Sequence, residues 1–190
     1  MSKLHKRLKS PIVRFGLVVL MLLALWKLFY NNWLIGLGIN DPITAWIGYW
    51  SNLFLTYLGY ASVCHQVNPD LSLFFQRVTI FINGMEIVTI DDGCNGLELY
   101  ALLIGFVVSY GKGNLSWIFS SSFLILSVLF IFFINVFRIV GLALLVYYRV
   151  PHFQVFHKYV FAAVVYLIIF LMMWLWTYWV NQSLLKVKNV

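Results

Sequence analysis

Residues 117–150 read WIFSSSFLILSVLFIFFINVFRIVGLALLVYYRV, and before Arg149 the only charged side chain in the run is Arg138. A helix this apolar cannot be covered by so small a chain in water; lipid is the solvent that suits it. Taken as one helix from Leu115 to Val150 it would measure roughly 52 Å, against a bilayer core of about 30 Å. It is therefore steeply tilted, kinked or protruding as one helix, or divided into Trp117–Ile134 and Val136–Val150. Pro151 closes it.

The rest of the chain agrees with the membrane. Of its 190 residues 63% are hydrophobic and 10% charged, where a soluble domain carries about 25% charged residues. The net charge of +7 sits at membrane-flanking positions rather than along one solvated face, which excludes a nucleic-acid partner. The length suits a single membrane domain over 1–190. Two cysteines make no disulfide framework.

Further spans follow from the requirement for about 20 mostly apolar residues. The run 12–30 is the first: a basic segment precedes it as in a signal peptide, but bulky residues at Leu25–Tyr30 leave no cleavage site. Leu97–Tyr110 is shorter and can draw Cys94 to Gly96 into its first turn. Tyr159–Val180 ends in an aromatic belt of Trp174, Trp176, Tyr178 and Trp179. The expected fold class is an all-α polytopic membrane protein with about four to five membrane helices. To these are added an extracytoplasmic amphipathic helix at 43–61 and a small β-hairpin at 77–90, leaving 94–180 as a catalytic helical core.

Charge sets the orientation. Lys3, Lys6, Arg7, Lys9 and Arg14 mark a cytoplasmic N-terminus, and Lys112, Lys186 and Lys188 mark the other inner loops. Asp41, Asp70, Glu86, Asp91, Asp92 and Glu98 fall between the first span and the start of the second. That stretch is expected outside the cytoplasmic membrane. Ile43–Ala61 is apolar enough to cross and would then invert this order. Its Ser51, Asn52, Thr56 and aromatics favour a helix lying on the outer surface after the start at Asp41-Pro42. Asn83-Gly84 is a type I′ hairpin signal. It pairs Ile82 with Met85, Ile80 with Ile87 and Val78 with Thr89 on one almost wholly apolar face.

Three residues can carry chemistry. Cys94, at the expected N-terminus of a membrane helix, gains thiolate character from unpaired amides; Asp91 and Asp92 oppose it, and a small buried cysteine is the plain alternative. Arg138 is costly inside an apolar run, which makes it a functional candidate or a structural partner of Glu98 or an aspartate. Asn135 lies one turn earlier on its face. His157 opens the last helix, where the helix dipole disfavours imidazolium and keeps a base available. With this topology the three meet at the outer boundary: a nucleophile, its base and a cation for a tetrahedral oxyanion. Glu98, one turn after Cys94, either orients Arg138 or is an interfacial carboxylate. A Cys64–Cys94 disulfide would disable the nucleophile. Cys64, His65 and His152 lack close zinc-ligand spacing, so no metal is expected, and the aromatics call for no cofactor.

Cys94-Asn95-Gly96-Leu97 opening a membrane helix, Asn135-Val136-Phe137-Arg138 in an apolar run, and His157 opening the last helix resemble the exosortase/archaeosortase family. The resemblance runs from about Ile43 to Val180 and includes the surface helix and the hairpin before the cysteine. It implies a membrane cysteine transpeptidase that cleaves C-terminal sorting signals of exported proteins through a thioester, at the outer face of the cytoplasmic membrane. In that reading Cys94 is the nucleophile, His157 the proton shuttle and Arg138 the oxyanion or substrate stabiliser; Asn135, Glu98, Asn95 and Gly96 support them. Two features depart from the fuller pattern. One span precedes the surface helix, which implies a compact subtype working with a small accessory membrane protein. The Arg138–His157 interval is short, so His152 stands as the alternative base. The competing class is a non-catalytic membrane scaffold or assembly subunit for surface-protein or polysaccharide export. A transporter fragment is disfavoured by the lack of repeat halves.

Overall fold

The computed structural model describes residues 11–29, 42–67, 77–90, 96–111, 113 and 115–188. In chain order these form α1 (Pro11–Phe29), α2 (Pro42–Tyr57), β1 (Ser62–Val67), β2 (Arg77–Ile82), β3 (Met85–Ile90), α3 (Leu97–Tyr110) and α4 (Trp117–Tyr147). A short turn α5 (Phe153–Val155), a π-helical turn (Phe156–Val160) and α6 (Phe161–Lys188) complete the chain. The architecture is mostly helical with a three-stranded sheet, rather than all-α with a lone hairpin.

Two helical runs, Trp117–Tyr147 and Phe153–Lys186, are long and apolar enough to cross a membrane. The apolar parts of α1 (Phe15–Leu25) and α3 are shorter. On the long runs Leu126, Phe130, Leu167, Phe170 and Trp174 are more than half exposed. Side chains of this size need an apolar neighbour, and lipid supplies one. The segment 117–147 is one helix of 31 residues, roughly 46 Å long. It ends in a left-handed cap at Arg149, φ 52, whose N–H donates to Val146 O while Val150 N–H reaches Leu145 O, both at 2.9 Å.

The chain divides into two compact units, Met1–Leu28 with Leu97–Phe130 and Tyr166–Val190, and Phe29–Gly96 with Ile131–Val165. In the first, Phe123 stacks on the buried Trp176 at 5.0 Å, and Val107 and Val180 complete the cluster. Gly105 lets α1 approach α3: a Cβ there would stand 2.7 Å from Val19 Cγ2.

The second unit holds the sheet. Its core joins Ile47 and Leu55 of α2, Val78, Ile80, Ile82 and Ile90 of the sheet, and Val136, Ile139, Val140, Leu142 and Ala143 of α4. Helix α2 touches both other layers. Gly48 is the contact with the sheet, since a Cβ there would run into Val78 and stand 3.3 Å from Cys64 Sγ. Ser51 Oγ donates to Val136 O at 3.4 Å, and Phe54 packs on Phe137. The helix stops at Tyr57 rather than at the expected Ala61, because Gly59 takes φ 92 and reverses the chain. Its buried face includes the polar Thr44 and Ser51, whereas Trp46, Tyr49, Leu53 and Tyr57 are exposed. This is the reverse of a helix that turns its polar side to water.

The sheet has order β1-β2-β3 and is antiparallel. Asn83 (φ 53) and Gly84 (φ 76) form the expected turn, and Ile82 pairs with Met85. Beyond Phe81–Glu86 a bulge shifts the register, so Ile80 faces Val88 and Val78 faces Ile90, not Ile87 and Thr89. The shift puts fully buried Ile90 opposite Val78 and sets Thr79 Oγ1 3.1 Å from Thr89 Oγ1. Strand β1 was not expected. It covers the other side of β2 and contributes Cys64, whose half-buried thiol is free.

Candidate functional site

One face of α4 assembles the site. Asn135, Arg138 and Gly141 recur at i, i+3 and i+6, so they form a stripe on consecutive turns. Asn135 is fully buried, and Gly96, the residue before α3, lies against its amide. Gly96 has φ 74, and a Cβ there would overlap Asn135 Nδ2 and stand 3.2 Å from its Cγ. Glycine is thus required both by the backbone and by the approach. Among the described residues, neither Oδ1 nor Nδ2 of Asn135 has a hydrogen-bond partner.

Arg138, one turn on, is half-buried, with its Nε buried and without a hydrogen-bond partner among the described residues. Its charge acts on His157. At the third position of the stripe, a Cβ on Gly141 would stand 3.0 Å from the Phe161 ring, so α4 and the start of α6 approach closely there.

His157 does not open a helix. Helical structure begins at Phe153, and His157 lies in the π-helical turn, where Phe161 N–H bonds Phe156 O. Such turns are rare and are frequently found at functional sites. His157 and Lys158 stand in the first turns of the run Phe153–Lys186, before α6. Burial of the ring, then the charges of Arg138 and Lys158, hold His157 below its ordinary imidazole value. The neutral base expected there is favoured, but by desolvation and two cations rather than by a helix N-terminus.

The remaining candidates separate. Cys94 and Asn95 lie outside the described residues. His152 is exposed in the turn after α4, with φ 63. Glu98 is exposed in the first turn of α3 and belongs to the other unit. Among the described residues Arg138 makes no ion pair. Cys64 carries no disulfide, and burial pushes its thiol up, away from reactivity.

Sequence reasoning missed the π turn, which has no residue signature in Phe156–Val160, and the tie between Gly96 and Asn135. The second had a signal: a glycine directly after Cys94-Asn95 and an asparagine inside an apolar helix both invite a close polar contact.

A family model described as transmembrane exosortase matches residues 5–175. No curated protein and no solved structure matches the chain significantly.

Proposed function

The chain belongs to the transmembrane exosortase family, and from that premise we propose that it is a membrane-embedded cysteine transpeptidase cleaving C-terminal sorting signals of exported proteins. Membership supports a transpeptidase-like role in the membrane in general terms; the substrate and the residues are our reading. The observation that carries it is the α4 stripe, on which Gly96, two residues after Cys94, meets Asn135 while the charge of Arg138 reaches His157.

In this reading His157 takes the Cys94 thiol proton, and Sγ adds to the scissile carbonyl carbon. The carbonyl π pair moves to oxygen, with Arg138 countering the negative charge. Collapse re-forms the carbonyl and breaks the C–N bond, and the leaving amine takes the proton from His157. A thioester remains on Cys94. Water, an amine, or a lipid or glycan nucleophile then loses its proton to His157, attacks the thioester and returns the thiolate, which is reprotonated.

We place the N-terminus in the cytoplasm and the site at the outer face of the cytoplasmic membrane, with α1, α3, α4 and α6 crossing and 43–61 on the outer surface. The lysines and arginines at 3–14, 112 and 186–188 support this order. The sheet, Arg138 and His157 share one compact unit, which suits a one-sided site. A small accessory membrane protein completes the proposed system. The test is to replace Cys94 with Ala in cells that make both enzyme and substrate. Uncleaved precursor should accumulate while the variant still inserts; normal processing would reduce the chain to a scaffold.

A further inference from the structure

The reaction outlined above leaves Asn135 without a task. Its side chain is 0% exposed, and both amide atoms lack a hydrogen-bond partner among the described residues. An unsatisfied buried polar group is destabilising, whereas leucine would fill similar space without that penalty. The neighbouring Ser51, equally buried, bonds Val136 O. Asn135 therefore differs from Ser51 in having no hydrogen-bond partner among the described residues.

What it faces is specific. Gly96 presents its Cα to Nδ2, and the positive φ that permits this occurs two residues after the nucleophile. One turn along the same face, Arg138 acts on His157. A dry donor that no described residue uses meets new negative charge more strongly than one in water.

Resting on the cysteine-transpeptidase reading, we infer that Asn135 is a catalytic residue whose Nδ2–H donates a hydrogen bond to the oxyanion formed when Cys94 adds to a carbonyl. No proton is transferred in this step: the oxyanion accepts the bond while the S–C bond is complete, and releases it when the electron pair returns and the leaving group departs. The neutral amide and the Arg138 cation then divide the work. Asn135 binds the oxygen at short range, and Arg138 sets the field for the oxygen and for His157.

The test separates reactions that form an oxyanion from one that does not, using the full chain in detergent with Cys64→Ser so that Cys94 is the sole thiol. Acylation by p-nitrophenyl acetate forms an oxyanion; alkylation by iodoacetamide is a direct displacement and forms none. Asn135→Leu should slow acylation at least about tenfold, toward the roughly 10²–10³-fold loss seen on removing such donors, with alkylation within about twofold. Asn135→Ala, made in parallel, should show the same split if the leucine variant does not fold. Equal losses in both reactions, or no loss in either, would overturn the assignment and leave Asn135 a structural support for Gly96. The underlying reading fails differently: acylation of the parent would then persist in Cys94→Ser.

Discussion

Asn83 Nδ2 donates to Tyr147 Oη at 2.8 Å, joining the tip of the β-hairpin to the last residue of α4. Two residues separated by 64 positions thereby fix the hairpin against the helix that carries Arg138. Tyr60 strengthens the join, with its ring 5.6 Å from that of Tyr147 and its hydroxyl 2.7 Å from Tyr148 Oη. Tyr147→Phe keeps the ring and removes the bond, and should cost about 0.5–1.5 kcal/mol. Asn83→Gly should cost a similar amount, because glycine tolerates the turn. Asn83→Ala should cost about 1–2 kcal/mol more, since alanine resists φ 53. Equilibrium unfolding in mixed detergent micelles ranks the three.

Arg149 holds the left-handed cap of α4 with a side chain that disfavours it. Arg149→Gly should stabilise the protein by up to about 1 kcal/mol, the relief of strain exceeding the gain in unfolded-chain entropy. A raised melting temperature in detergent is the expected result; an unchanged or lowered one would mean that the exposed arginine makes a compensating contact.

His157 gives a pH signature. Its imidazole lies below the ordinary value, so the neutral base persists as pH falls past the point where a free histidine charges. The linked stability is fully present above the unfolded imidazole value. It is lost as pH falls through the folded one, because the unfolded chain binds the proton first. Lys158→Gln removes one cause of the depression, so the acid limb of the acyl-transfer rate profile should move to higher pH. An unmoved limb would assign that titration to another group.

Gly48 is the close contact between α2 and the sheet. Gly48→Ala should destabilise by about 1–3 kcal/mol, as overpacking does, and Val78→Ala should recover part of the loss. In a Cys94→Ser background, Cys64 should react slowly with maleimide in the parent and faster in Gly48→Ala, since its contact with Gly48 and its burial are what suppress the thiol.

Apolar runs fixed the helices because lipid demands a length and a composition that few other environments do. The helical character of 117–147 and of the last apolar run was legible for that reason, though not whether 117–147 is one helix or two, and Asn83-Gly84 gave the hairpin turn. Strand β1 escaped because Ser62–Val67 is short and mixes polar with apolar residues, so its pairing depends on β2 rather than on its own pattern. The register shift escaped for a related reason: either register buries mostly apolar side chains, and only the place of Ile90 in the core and the Thr79–Thr89 pair separate them. Within the site, Arg138 and Asn135 stood out as polar residues in an apolar helix. His157 stood out too, as a base meeting Arg138 at one boundary; the contact of Gly96 with Asn135 did not, because Gly96 reaches α4 from a part of the chain 39 residues earlier.

The π-helical turn at Phe156–Val160 works as a phase shifter. Against an uninterrupted α-helix it accommodates one extra residue, and each residue of an α-helix subtends about 100°. The start of α6 is therefore rotated relative to the course set at Phe153. Loss of a single residue from the turn would swing Val165 off its packed side. The facing of the first turn of α6 thus depends on the same short segment that holds the imidazole.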